Sequence, residues 1–134
     1  MSREEGSNIA LVRRLYRAVD QGDLETFLDL SDSKIRIEDP DLPGAGEFQG
    51  RDQAREFLSQ WLGSWDDYSV EIEGLRQAGE RVVALTRHRG RGKGSRVPVE
   101  LADAHVWTLR DGRVTPLRTY LDRAEALEAV GLRD

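Results

Sequence analysis

The stretch Lys34-Ile35-Arg36-Ile37-Glu38-Asp39-Pro40 decides how this chain is read. Side chains alternate faces along a strand, so Ile35, Ile37 and Asp39 share one face while Arg36 and Glu38 share the other. Two aliphatics and a carboxylate on one face conflict with a dry core. A buried ionised carboxylate is costly unless it is hydrogen-bonded, held protonated or exposed to a cavity. Asp39 therefore either borders a cavity or caps the turn at Pro40 through a backbone N–H.

Amphipathic helices precede this strand. Ile9, Val12, Leu15, Tyr16 and Val19 form one apolar arc, with Arg14 and Arg17 opposite and Gly22 as the stop. A short helix follows from Asp23, a suitable N-cap, through Leu24, Phe27, Leu28 and Leu30. Beyond the strand, Asp41 to Gly46 reads as a loop and Phe48 as a short extended piece. A third helix starts after Gly50. Its apolar residues Ala54, Phe57, Leu58, Trp61, Leu62 and Trp65 recur at helical spacing, which predicts Trp61 and Trp65 one turn apart on the same helix.

The second half reads as sheet, with strands near Tyr68–Arg76, Arg81–Arg89, Arg96–Arg110 and Arg113–Leu121. Turn signals lie at Gly79, at Gly90 to Gly94 and at Asp111-Gly112. In the longest strand Val99, Leu101, Asp103, His105, Trp107 and Leu109 share one parity, and this bulky set is expected to face the helices. Pro116 lacks a ladder donor, which predicts an edge or a bulge. Asp122 and Glu125 signal the start of a terminal helix, and Gly131 its end. The order implies one α+β domain, residues 1–134, with the helices covering one face of a curved sheet.

Composition narrows the function classes. The net charge is −5, with 38% hydrophobic and 34% charged residues, so general affinity for nucleic acid or anionic membrane is not expected. No window has the apolar length of a membrane span, and the polar N-terminus does not read as a signal peptide, so a cytoplasmic protein is expected. With no cysteine and two histidines there is little material for a zinc or iron site, and no metal is expected. The basic run Arg87-His88-Arg89-Gly90-Arg91-Gly92-Lys93-Gly94-Ser95-Arg96 reads as a solvated hairpin tip with His88 exposed, because it lacks the aromatics of an RNA-binding segment.

Four pieces carry a resemblance: Val19-Asp-Gln-Gly-Asp23, Ile37-Glu-Asp-Pro40, Phe48-Gln-Gly-Arg51 and the hairpin Val106 to Val114. In order and spacing the chain resembles the nuclear transport factor 2-like superfamily, and within it the SnoaL-like and ketosteroid-isomerase-like proteins. The resemblance implies a cone-shaped curved antiparallel sheet with helices on its concave face enclosing a pocket, and a homodimer. No cofactor is expected. By the same resemblance Asp39 takes the place of the general-base aspartate of the ketosteroid isomerases, and His105 that of their group donating to a developing oxyanion. The family's oxyanion tyrosine aligns with Leu15, so Tyr16 is displaced by one residue and lines the pocket without taking that seat. Related epoxide hydrolases need an arginine between two carboxylates inside the pocket, and the arginines here read as outward.

The candidate catalytic residues are thus Asp39 and His105. Tyr16, Leu58, Trp61, Trp65, Asp103 and Trp107 are the candidate substrate-binding residues, and their aromatic character suits a flat polyketide, steroid or terpenoid. The same aromatics suit a plain core, and His105 a core histidine bonded to Asp103. The function expected is a cofactor-free acid/base enzyme, of isomerase or cyclase type, on a small apolar carbonyl or polyketide-like compound. The alternative is a ligand-binding or dimeric scaffold protein of the same fold.

Overall fold

The computed structural model describes residues 3–39 and 46–132. Expectations resting on Pro40 and on the loop Asp41 to Ala45 lie outside the described residues. Three helices and a strand pair come first: α1 (Arg3–Gln21), α2 (Leu24–Asp29), β1 (Ser31–Glu38), β2 (Glu47–Gln49) and α3 (Gly50–Gly63). Four long strands and a last helix follow: β3 (Trp65–Ala78), β4 (Arg81–Gly92), β5 (Pro98–Arg110), β6 (Arg113–Tyr120) and α4 (Arg123–Ala129). The six strands form one sheet in the order β2-β1-β6-β5-β4-β3.

Local chemistry sets the element ends. Gly22 ends α1 at φ +70°, and the Asp23 carboxylate caps α2 by accepting from the Thr26 N–H at 3.1 Å. Asp122 caps α4 the same way, accepting from the Ala124 N–H at 2.8 Å. Asp111 and Gly112 both have positive φ, the geometry of the tight turn that the Asp-Gly pair selects. Arg51 has a structural role: its guanidinium donates to the Ser31 carbonyl at 2.7 and 3.1 Å, tying the start of α3 to the start of β1.

The inner face of the sheet packs on α1, α2 and α3. Val12, Leu15, Tyr16 and Val19 from α1 and Phe27 from α2 meet Ile35, Ile37, Val82, Ala84, Trp107 and Leu109 in the main core. Of the bulky parity of β5, Leu101, Asp103, His105, Trp107 and Leu109 face inward as the alternation predicts, while Val99 at the start of the strand is exposed. At about 25 cal/mol per Å² of apolar area, this core is the main source of stability.

Pro116 takes the second of its two expected places: β6 is an interior strand between β1 and β5, and the proline sits in a bulge, where Thr108 alone stands between Trp107↔Leu117 and Leu109↔Val114 while Thr115 and Pro116 stand opposite. Three features depart from the sequence reading. The β1–β6 pairing is parallel, because β1 enters the sheet beside the last strand, whereas the other four pairings are antiparallel. The second departure is α4, which packs on the outer face: Ala126 and Leu127 join Val83, Ala104 and Val106, the opposite parity of β4 and β5. Finally, α3 ends at Gly63 and Trp65 opens β3. The helical spacing of Trp65 is a coincidence of the turn that follows.

Trp65 reaches its place because Gly90 lies beneath it. A Cβ on Gly90 would stand 2.7 Å from a Trp65 ring carbon and 3.0 Å from the Asp66 carbonyl oxygen, so only glycine allows the two strands and the indole to approach so closely.

A candidate acid/base site around Asp103

Between α1, α3 and the inner face of the sheet lies a cavity of about 200 Å³. Tyr16, Asp39, Leu58, Trp61, Asp103, His105 and Trp107 all line it, so Asp39 and His105 border one space. Trp65 does not line it; its ring packs on Trp61 and Tyr68, with centroids 5.4 and 5.3 Å away. Two further lining residues, Tyr68 and His88, were not expected from the sequence.

His88 overturns the reading of the basic run. It is 3% exposed and faces inward in the series Val82, Ala84, Thr86, His88 of β4. The arginines beside it point the other way, where Arg87 pairs with Glu73 and Glu100 and Arg89 with Glu71. The signal was present in the alternation of β4, but the density of charge hid it. A strand that carries cations on one face places a lone imidazole on the other.

The strand register assembles the site. Asp103 of β5 stands opposite Thr86 of β4, and His88 lies diagonally from it, within reach of a long side chain. His105 is two residues further along β5 on the same face. The result is a carboxylate between two imidazoles: His88 Nε2 is 2.8 Å from Asp103 Oδ1, and His105 Nε2 is 3.2 Å from Oδ2. Each ring is held at its far nitrogen by a tyrosine, His88 Nδ1 by the Tyr68 hydroxyl at 2.7 Å and His105 Nδ1 by the Tyr16 hydroxyl. Trp107 Nε1–H donates to the Tyr16 oxygen at 2.9 Å, and the Thr86 hydroxyl donates to Asp103. Both tyrosine rings stack on their histidines, at centroid distances of 5.7 and 5.8 Å.

Proton positions follow from this connectivity. An ionised carboxylate only accepts, so both imidazoles present Nε2–H to Asp103, and in a neutral ring Nδ1 is left as acceptor for a tyrosine O–H. Burial alone would push the Asp103 carboxyl up. The hydrogen bonds from His105 and His88, with their charge, outweigh burial and hold it well below the usual carboxylate range. Burial drives the Tyr16 hydroxyl well above its ordinary value, against the opposing hydrogen bond from Trp107, and raises Tyr68 as well. Both phenols are thus proton donors, not anions, near neutrality.

The alternative reading of His105 as a histidine bonded to Asp103 and the reading of it as a pocket residue are both realised. For Asp39, the backbone N–H bonds to the Gly46 carbonyl oxygen at 2.6 Å while the half-buried side chain borders the cavity. Among the described residues none hydrogen-bonds to its carboxylate. The cavity bounded by the described residues is comparable with the roughly 150 Å³ that holds benzene.

Residues 12–116 match the model of the SnoaL-like domain. No curated protein matches the sequence significantly. Among solved structures, a nuclear transport factor 2-like protein of unknown function from Burkholderia pseudomallei is 24% identical with a TM-score of 0.78, over 98% of this chain and 99% of that one. A candidate SnoaL-like polyketide cyclase from Jannaschia sp. CCS1 is 22% identical with a TM-score of 0.81, over 100% and 98%. A ketosteroid isomerase-like fold from Catenulispora acidiphila, in complex with trimethylamine, is 20% identical with a TM-score of 0.75, over 91% and 92%. At these identities the likeness is one of fold. The family match spans most of the chain, and the protein belongs to the SnoaL-like domain family.

Proposed function

We propose that this chain is a cofactor-free acid/base enzyme acting on a small, largely apolar carbonyl compound whose reacting part is about one ring in size. The observation that carries the reading is the arm Trp107–Tyr16–His105–Asp103 on the wall of a cavity that Asp39 also borders. Protonation of His105 reverses this arm. Its Nδ1–H then donates to the Tyr16 oxygen, which frees the Tyr16 hydrogen to turn toward the cavity. A carbonyl oxygen seated there receives that hydrogen bond as negative charge develops on it, while Asp39 removes a proton from the adjacent carbon and returns it nearby. Asp103 stabilises the imidazolium and keeps its orientation, and Trp61 and Leu58 hold the apolar body of the substrate.

The test is exchange at carbon. Small cyclic ketones are incubated with the protein in deuterium oxide, and deuterium incorporation beside the carbonyl is followed by NMR. The wild type is expected to exceed the buffer rate, with Asp39→Asn and His105→Gln each about 100-fold slower, as expected for loss of a general acid or base. Equal rates with and without protein, for ketones whose binding shifts the resonances of cavity residues, would make this a ligand-binding protein. The reading includes a homodimer through the part of the outer sheet face that α4 leaves open; a monomer mass in sedimentation at micromolar concentration removes that element.

A further inference from the structure

We propose that His88, Asp103 and His105 form a binding site for one divalent transition-metal ion, with the remaining coordination positions open to the cavity. On composition alone, two histidines are few for a metal site. The fold brings both of them to one carboxylate, and two imidazoles with one carboxylate make a sufficient set.

Three observations support the site. The first is distance: one ligand atom from each residue lies within 4.8 Å of the others, with His88 Nε2 2.8 Å from Asp103 Oδ1 and His105 Nε2 3.2 Å from Asp103 Oδ2. Ligands at about 2.0–2.2 Å from a common ion stand roughly 3.0–3.5 Å apart, so each imidazole already meets one carboxylate oxygen at near-ligand spacing, and a shift of the rings toward one another completes the set. The second is charge. Asp103 is 6% exposed, and among the described residues no lysine or arginine pairs with its carboxylate. Arg123, the nearby cation, donates instead to the Asp103 backbone oxygen at 3.2 Å. The buried carboxylate thus faces two imidazoles and no fixed cation, and a dication would give it one.

The third is the outer layer of contacts. An imidazole that binds an ion through Nε2 carries its proton on Nδ1 and needs an acceptor there. Tyr16 and Tyr68 stand at those two nitrogens. Binding requires only that each ring shift its proton from Nε2 to Nδ1, whereupon each tyrosine turns from donor to acceptor. The Thr86 hydroxyl continues to hold the carboxylate. Nitrogen ligands with one carboxylate favour zinc, cobalt or iron(II) over magnesium or calcium, which prefer oxygen alone.

This inference goes beyond the acid/base reading and does not depend on it. Its binding readout is separate from turnover. Chelator-treated protein is titrated with Co²⁺ at neutral pH, followed by equilibrium dialysis and visible absorption. One Co²⁺ per chain is expected, displaced by Zn²⁺, with His88→Gln and His105→Gln each weakening binding at least tenfold and Asp39→Asn leaving it unchanged. Thermal melts show whether the variants fold. NMR of the wild type decides the matter without any variant, since the chain has two histidines and zinc must shift the ring nitrogens of both. No stoichiometric cobalt uptake, uptake unaffected by either glutamine variant, or histidine resonances unmoved by zinc would each overturn the proposal.

Discussion

Replacing Tyr16 by phenylalanine removes one oxygen and leaves the ring, so it probes the polar arm without opening a cavity. That oxygen accepts from Trp107 Nε1–H at 2.9 Å and bonds to His105 Nδ1. Trp107 is 2% exposed, so its N–H loses its acceptor where bulk water cannot replace it. An unsatisfied buried donor costs about 1–3 kcal/mol, and the second bond, to an imidazole beside the cavity, adds about 1 kcal/mol. The expected loss is about 2–4 kcal/mol, a large fraction of the roughly 5–15 kcal/mol typical of a domain. With a urea m-value near 2 kcal/mol/M, the midpoint falls by about 1–2 M while m stays constant. Urea unfolding followed by tryptophan fluorescence and circular dichroism measures it. Tyr120→Phe is the control, since no described residue hydrogen-bonds to that hydroxyl, and it is expected to stay within about 0.5 kcal/mol of the wild type. A Tyr16→Phe midpoint as close to wild type as the control would refute the chain of bonds through Tyr16.

Asp103 also sets an acid dependence. Its folded pKa lies below the unfolded value of 3.8, so the unfolded chain binds the extra proton, and the stabilisation is complete above that value and lost as pH falls toward the folded pKa. The wild-type urea midpoint is expected to fall between about pH 5 and pH 2, and less steeply in Asp103→Asn; equal slopes would show that the carboxylate is not held ionised by its histidines. Tyr16 and Tyr68 give the opposite limb. Their folded pKa values are raised, so the stability they contribute is intact below the ordinary value of 10.0 and is lost above it. Their tyrosinate absorption should appear together with alkaline unfolding, and free titration of all three tyrosines in the folded protein would contradict their burial. Gly90→Ala forces a methyl group to 2.7 Å from Trp65, and a loss of about 1–3 kcal/mol in urea unfolding is expected; an unchanged midpoint would mean that the Trp65 ring moves aside freely.

Much of the fold was legible because it rests on local periodicity and local stops. The apolar arc of α1, the cap at Asp23, the Asp-Gly turn and the parity of β5 each involve residues close in the chain, and each appears where the alternation or spacing placed it. The inward setting of Asp39, His105 and Tyr16 came from the same parity argument and the helix arc. What parity cannot supply is which strand lies beside which. The parallel meeting of β1 with β6, the interior place of Pro116 and the seat of α4 on the outer face depend on contacts between residues far apart in sequence. The centre of the site depends on them as well. His88 and Asp103 are 15 positions apart and meet only through the β4–β5 register; Tyr16 reaches His105 across 89. A charge-rich run in sequence is one dimension of a two-faced strand, and its imidazole became visible only when the register gave the inner face a carboxylate to receive it. Local patterns in the chain sufficed for most of the elements, their faces and the family. Which side chains meet was settled by the folded molecule alone, because hydrogen bonds between side chains depend on distances that no local pattern encodes.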